Sequence, residues 1–197
     1  MSFFLGLTGS IGMGKSTTAK LFAEAGCAVW DADAAVHRLY AKGGAAVEPI
    51  REIFPQAILE NAVDRGALKQ IISDNPAALR TIESIVHPLV AIDRAEFREA
   101  AQSDILVFDI PLLFETGGNV HMDAVACVSI SAEEQERRVL ERGTMTREQF
   151  EQIRAKQMPN DDKCARSDYV IVTDTIDNAR QQVQQIVAKI RAGTQNA

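Results

Sequence analysis

One eight-residue stretch near the N-terminus constrains the fold more than any other feature. Gly9 to Ser16 matches the pattern G-x-x-x-x-G-K-[ST] at every fixed position. An apolar run, 3–8, precedes this stretch, and a helical pattern, 15–25, follows it. A strand, a glycine-rich turn and a helix in this order let backbone N–H groups and a helix N-terminus surround a phosphate group. The stretch therefore predicts a phosphate-binding loop.

The rest of the chain alternates between strand-like and helical segments. The predicted strands are 3–8, 28–30, 104–110, 124–130 and 169–172. The chain closes on an amphipathic helix with apolar residues at Val183, Ile186, Val187 and Ile190, and it is expected to fray from Gly193 to Ala197. Because crossover helices join parallel strands, these segments predict an α/β protein with a three-layer P-loop fold and a five-stranded parallel sheet.

The region between the second and third predicted strands has a different character. Residues 34–101 contain no strand-like run, and helices are predicted near 34–41, 45–54, 65–73 and 77–101. This region is predicted to be a helical insertion.

Composition limits the partners of the chain. It has 197 residues and a net charge of −6, which counts against nucleic acid or an anionic membrane as the main partner. No apolar run reaches the about 18 residues that span a bilayer, and the N-terminus lacks the cationic flank of a signal peptide. The three cysteines are too widely spaced to suggest a zinc site or a disulfide framework. A cytoplasmic protein is expected, with its oligomeric state open.

The end of the third strand narrows the class of phosphate-loop protein. Asp109 is followed by Ile110 and Pro111, so no adjacent glutamate can polarise a water molecule, and no Asn-Lys-x-Asp segment indicates guanine specificity. Asp109 is predicted to support Mg²⁺ through water, Ser16 to bind the metal directly, and Lys15 to reach the outer phosphates. These features favour transfer from ATP to a small acceptor over hydrolysis.

Two aspartates follow the second strand. Asp31 and Asp33 are two residues apart, and they are expected to share one side of an extended strand end, at the rim where α/β sheets bind ligands. Asp33 is a candidate to orient an acceptor hydroxyl and accept its proton. It is equally a candidate N-cap for the helix that follows. Local sequence leaves both interpretations open.

Two arginines share a predicted helical face. Arg138 and Arg142 are four residues apart, and Arg147 begins the next helix. A cationic segment of this kind can close over ATP as a lid and neutralise charge on the transferred phosphoryl group. The alternative is a solvated face paired with neighbouring glutamates.

Several motifs, taken in order, resemble the dephospho-CoA kinase family, and the resemblance covers almost the whole chain. The motifs are Leu7–Ser16, Asp31-Ala32-Asp33, His87-Pro88-Leu89-Val90, Asp109–Glu115, Arg138 and Arg142, Thr146-Arg147-Glu148, Gln157-Met158-Pro159 and Ala165–Ile171. The resemblance implies transfer of the γ-phosphoryl group of ATP to the ribose 3′-hydroxyl of dephospho-CoA, giving CoA and ADP. ATP and dephospho-CoA are then the partners, and Mg²⁺ is the cofactor.

Together with the loop pattern, the resemblance gives a role to individual residues. The expected catalytic residues are Asp33, Lys15 and Arg142. The expected ATP-binding residues are Gly9, Ile11, Gly12, Met13, Gly14, Lys15, Ser16, Thr17, Arg138 and Arg142. The expected acceptor-binding residues are Asp33, His87, Pro88, Leu113 and Glu115, and the metal is expected at Ser16 and Asp109. The implied regions are a core (1–33, 102–131 and 167–197), an acceptor region (34–101) and a lid (132–166).

The chain departs from the family pattern in two places. Ser10 and Met13 stand where many members have glycine and serine, which matters little if the loop acts through its backbone. Residues 170–174 replace an Asn-rich turn near the adenine, so the adenine contacts after Val172 stay open. The rival functions are another small-molecule kinase, which a substrate panel would distinguish, and a nucleotide-dependent regulator, which the missing glutamate after Asp109 disfavours.

Overall fold

The computed structural model describes residues 2–194, which divide into two compact units. The first unit combines the chain up to Trp30 with the chain from Ala101 onwards, and the second is Asp31–Ala100. In the described part of the chain, no helix combines the length and the apolar character needed to cross a bilayer.

The helices and strands follow the predicted alternation. In chain order they are β1 (Phe3–Thr8), α1 (Lys15–Glu24), β2 (Ala28–Asp31), α2 (Ala32–Tyr40), α3 (Val47–Ile53), β3 (Ile58–Leu59), β4 (Ala62–Val63), α4 (Arg65–Asp74), α5 (Ala78–Ala100), β5 (Ile105–Asp109), β6 (Ala124–Ser129), α6 (Ala132–Glu141), α7 (Arg147–Lys156), α8 (Asn160–Ala165), β7 (Tyr169–Val172) and α9 (Ile176–Thr194). Short 3₁₀ turns lie at Pro55–Ala57 and Gly118–His121. The rest of the expected frayed tail, 195–197, lies outside the described residues.

The first unit is built on a five-stranded sheet in the order β2-β5-β1-β6-β7. The predicted α/β fold with a five-stranded parallel sheet is therefore confirmed. Strand β1 pairs in parallel with both β5 and β6, and Leu7 lies opposite Asp109. The carboxyl ends of these strands consequently meet at one edge of the sheet, where the phosphate loop begins.

Burial explains why these segments form central strands. All five residues of β5 are buried, and α9 buries the four apolar positions named above against the same core. Fully burying a side chain such as Leu or Ile is worth about 1.5–3 kcal/mol. Close packing also requires glycine at Gly6 in β1, because a Cβ there would lie 2.6 Å from Leu113 Cδ2. The loop after β5 therefore lies directly on the sheet.

The second unit contains helices α2 to α5. Arg38 in α2 donates two hydrogen bonds to Asp93 in α5, at 2.6 and 3.1 Å, and α3, α4 and α5 share an apolar core around Ile50. The prediction that this region has no strand is wrong, because β3 and β4 form a short antiparallel hairpin. Its turn has positive φ at Glu60 and Asn61, and asparagine tolerates this backbone better than most residues. Two-residue strands are too short to give a periodic signal.

Candidate active site

The path of the phosphate loop requires glycine at two positions. Gly12 and Gly14 have φ of 79° and 90°, which is the left-handed region that residues with a side chain avoid. A Cβ at Gly12 would lie 2.5 Å from Val139 Cγ2, and a Cβ at Gly14 would lie 3.0 Å from Thr173 Oγ1. Both the backbone conformation and the neighbouring side chains therefore explain the sequence pattern.

The first half of the loop is held by amide side chains. Ser10 N–H donates to Asn160 Oδ1, and Ile11 N–H donates to Gln157 Oε1, both at 3.1 Å. Gln135 Nε2 donates to the Ile11 carbonyl at 2.7 Å. These side chains satisfy the backbone groups of Ser10 and Ile11 within the protein. Gly9 and Ile11, both expected to bind ATP, thus belong to the half of the loop that the protein itself holds.

The second half of the loop leads into the N-terminus of helix α1. Gly14 is the N-cap of α1, and in the described structure no side chain caps this helix. Ser16 and Thr17 in its first turn are exposed. Uncapped N–H groups and the helix dipole together favour an anion at this position. Met13 is different, because its side chain is buried in the main core.

Lys15 and Asp109 form an ion pair at the sheet edge. Lys15 Nζ donates to Asp109 Oδ1, and the Asp109 side chain has no exposed surface. Burial of a carboxylate is tolerated only with such a partner. The described residues contain no group of three or more His, Cys, Asp and Glu side chains suited to a metal. Mg²⁺ is commonly held by one or two protein oxygens, waters and substrate phosphates, so the Ser16 hydroxyl and the Asp109 carboxylate fit it chemically.

The two predicted lid arginines border a cavity beside the loop. This cavity, of about 220 Å³, is lined by Gly14, Thr17, Arg138, Arg142 and Thr173 among others. Arg142 is exposed, whereas Arg138 donates to Glu134 Oε1 and to the Thr173 carbonyl, both at 2.8 Å. Hydrogen bonds from Arg137 and Arg138 lower the pKa of Glu134 to about 2. Arg138 therefore pairs with a glutamate and faces the cavity at once.

Asp31 and Asp33 differ from the expected arrangement. The two do not share one side of an extended strand end, because β2 stops at Asp31 and α2 begins at the next residue. Asp31 is the N-cap and accepts from Ala34 N–H at 2.9 Å, so the proposal that Asp33 caps this helix is wrong. Asp33 lies in the first turn with an exposed side chain. Its carboxylate is not used as the cap.

A buried lysine holds the loop after β5. Lys163 in α8 has no exposed surface, and its Nζ donates to Glu115 Oε1 and to the Pro111 carbonyl, each at 2.9 Å. Glu115 Oε1 also accepts from Met158 N–H at 2.9 Å. Burial raises the pKa of Glu115, but the hydrogen bonds from Lys163 and Met158 outweigh it, and the net pKa lies below its ordinary value. Sequence reasoning missed Lys163, because a lysine beside two aspartates suggests a solvated surface.

Comparison with known proteins decides the family. The family model described as dephospho-CoA kinase matches residues 3–179. A dephospho-CoA kinase from Ruegeria pomeroyi is 70% identical over 197 residues, which is 100% of both chains. The chain belongs to the dephospho-CoA kinase family. The predicted family resemblance is therefore confirmed.

Solved structures share the fold of this chain. A crystal structure from Thermus thermophilus has 30% sequence identity and a TM-score of 0.83, covering 95% of this chain and 97% of that chain. A dephospho-CoA kinase from Campylobacter jejuni has a TM-score of 0.69 over 98% of this chain and 100% of that chain. At 22% identity, the second match shows the fold alone.

The acceptor residues expected from the family motifs lie in both units. Leu113 and Glu115 are in the first unit, and Leu113 is fully buried with Phe114 and Val125. The other expected acceptor residues, Asp33, His87 and Pro88, are in the second unit and are exposed. Roles for these residues stay predictions.

The departure from the family pattern after β7 has a structural consequence. Thr173 Oγ1 donates to the Met13 carbonyl at 2.7 Å, so the 173–174 turn is tied to the phosphate loop.

Proposed function

We propose that this protein transfers the γ-phosphoryl group of ATP to the ribose 3′-hydroxyl of dephospho-CoA, giving CoA and ADP. The observation that carries the proposal is the phosphate loop of a dephospho-CoA kinase family member, complete in sequence and in backbone geometry. Gly12 and Gly14 have the required conformation, and Lys15 of the loop forms an ion pair with Asp109 at the sheet edge.

ATP is proposed to bind with its phosphates on the second half of the loop. The N–H groups around Gly14 to Thr17 and the ammonium of Lys15 supply the positive field, while the first half stays fixed by its amide partners. The nucleoside is proposed to occupy the cavity beside Arg138 and Arg142, since this cavity adjoins the same helix N-terminus. Exposed Arg142 is then available to neutralise charge on the transferred phosphoryl group.

Mg²⁺ is the proposed cofactor, held by the Ser16 hydroxyl and, through water, by Asp109. When bound, the metal supplies charge neutralisation on the phosphate oxygens. The contribution of the chain is to present an exposed hydroxyl in the first turn of α1 and a carboxylate at the end of β5.

Asp33 is the proposed base for the acceptor hydroxyl. Because Asp31 caps α2, the Asp33 carboxylate is left for another role. In a loose phosphoryl-transfer transition state, this carboxylate mainly orients the hydroxyl and accepts its proton late. His87, Pro88, Leu113 and Glu115 are proposed to line the acceptor site.

The proposal also assigns a role to each region of the chain and a location to the protein. Residues 1–33, 102–131 and 167–197 act as the core, 34–101 as the acceptor region and 132–166 as a lid. We propose a cytoplasmic enzyme that needs neither nucleic acid nor a membrane as partner, consistent with its net charge of −6.

A matched pair of variants tests the assignment of the base. ADP release is measured with ATP–Mg²⁺ and dephospho-CoA, with mass detection of the product. Asp33→Asn should lower kcat at least about 100-fold, the usual cost of losing a general base. Asp31→Asn removes a carboxylate two residues away but keeps a good N-cap, so kcat should change less than about threefold. Near-normal turnover by Asp33→Asn would rule out this residue as the base.

A further inference from the structure

Lys163 is an unusual lysine because it has no exposed surface. Lysine is almost never fully buried unless its charge is paired, since removing an ammonium from water carries a large free-energy cost. Both of its acceptors described above, Glu115 Oε1 and the Pro111 carbonyl, belong to the loop after β5. The Pro111 carbonyl also accepts from Thr8 Oγ1 at 3.1 Å, which ties this point to the end of β1.

The short stretch that carries Lys163 also contacts the phosphate loop. We call residues 157–163 the brace segment. Its Gln157 and Asn160 accept from the loop N–H groups, and Met158 N–H donates to Glu115. Asn160 Nδ2 additionally donates to the Val128 carbonyl at 3.3 Å, which fixes the segment against β6. One anchored segment therefore contacts both loops at once.

Both described contacts of Glu115 end on the same carboxylate oxygen. Lys163 Nζ and Met158 N–H both donate to Oε1, and neither bond uses Oε2. Two donors on a single oxygen fix the orientation of the carboxylate while the second oxygen keeps its acceptor capacity. An oriented carboxylate oxygen accepts hydrogen bonds from hydroxyl or amide N–H groups and repels phosphates.

We propose that Lys163 is a positioning residue that acts through Glu115 on the acceptor substrate. It holds the Glu115 carboxylate so that Oε2 accepts a hydrogen bond from a hydroxyl or amide N–H group of dephospho-CoA. The inference rests on the proposed function and adds to it the residue that orients this part of the acceptor site. In the alternative account, the ion pair stabilises the fold and has no effect on substrate binding.

Two variants in the brace segment separate substrate positioning from general stability. Lys163→Met keeps the length and apolar stem of the side chain, and Gln157→Ala removes the contact with Ile11 N–H. Michaelis constants for both substrates are measured for each. Lys163→Met should raise KM for dephospho-CoA about tenfold or more, as expected for loss of an orienting charge-assisted hydrogen bond, and KM for ATP less than about threefold. Gln157→Ala should raise KM for ATP more than KM for dephospho-CoA.

A pH series gives a readout that a structural role alone would not change. Without Lys163 the pKa of Glu115 rises, because the lysine is one of the groups that hold it low. KM for dephospho-CoA should then become pH-dependent in Lys163→Met as Glu115 gains a proton. The dependence should disappear in the double variant Lys163→Met/Glu115→Gln.

The double variant also keeps the test decisive if Lys163→Met folds poorly. Removing both charges should restore thermal stability, yet KM for dephospho-CoA should stay high because no oriented carboxylate remains. Recovery of both stability and KM would overturn the inference, and so would equal increases in KM for the two substrates. If wild type transfers a phosphoryl group to dephospho-CoA and Lys163→Met keeps a normal KM for dephospho-CoA, the inference is wrong and the proposed function stands. A wild-type protein without such transfer overturns the proposed function and this inference with it.

Discussion

The phosphate loop and the loop after β5 are held by the same brace segment through different chemistry. Neutral amides of Gln157 and Asn160 hold the phosphate loop, whereas an ion pair between buried Lys163 and Glu115 holds the loop after β5. A carboxylate in place of either amide would put a negative charge beside the site where we propose that phosphates bind. The comparison teaches that the brace segment holds the phosphate loop through neutral acceptors and holds the loop after β5 through a charged donor.

The largest expected effect is on stability and comes from breaking the charged contact. Lys163→Met should lower the free energy of unfolding by about 3 kcal/mol, because it removes two hydrogen bonds made by a buried charged group, each worth about 1.5–3 kcal/mol. Lys156→Met, at an exposed lysine seven residues earlier, should change it by less than about 0.5 kcal/mol. Urea denaturation measures both variants. Equal losses from the two would mean that the pair carries no special stability.

The next effect is on catalysis, at the phosphate loop itself. Lys15→Ala should lower kcat about 100- to 1000-fold, since it removes a preorganised positive charge from the transferred phosphoryl group. Lys20→Ala, at an exposed lysine of α1, is the matched control and should leave kcat within about twofold. A fixed-time assay of ADP release compares the two variants. Near-normal turnover by Lys15→Ala would mean that the loop does not act in catalysis.

A smaller effect tests why the phosphate loop is held by neutral groups. Gln157→Ala should raise KM for ATP about 3- to 10-fold, which corresponds to one neutral hydrogen bond. Gln157→Glu should raise KM further at low salt, because its charge repels the phosphates, and added salt should reduce the excess. If the glutamate variant matches wild type at every ionic strength, neutrality at this position has no functional meaning.

The smallest effect concerns the pH dependence of the charged contact. The pKa of Glu115 in the folded protein lies below its ordinary value of 4.5, so the unfolded chain takes up this proton first as pH falls. The contribution of Glu115 is complete above about pH 4.5 and is lost as pH falls through the folded-state pKa. Denaturation between neutral and acidic pH should therefore show a shallower acid loss of stability in Glu115→Gln than in wild type. Parallel curves would contradict the lowered pKa.

The sequence predicted the parts of the molecule that local rules determine. Continuous apolar runs such as β5 indicate buried strands, and the glycines of the phosphate loop follow from its backbone conformation. The apolar spacing of α9 likewise indicates the face that the helix buries.

Features that depend on contacts between distant residues escaped prediction. The burial of Lys163 depends on Glu115 and Pro111, which belong to another part of the sequence. The positions of Asp31 and Asp33 depend on a helix that starts directly after a strand, and local propensity cannot specify a boundary to one residue. The Thr173 contact with the Met13 carbonyl has no sequence signal either.

The identity of the product tests the central claim most directly. Wild-type protein is incubated with ATP–Mg²⁺ and either dephospho-CoA or a nucleoside monophosphate, and the products are analysed by mass spectrometry and phosphorus NMR. The account predicts that dephospho-CoA gains one phosphoryl group at its ribose 3′-oxygen and that the nucleotide stays unchanged. Transfer to the nucleotide in preference to dephospho-CoA, or ADP formation without either phosphorylated product, would contradict it.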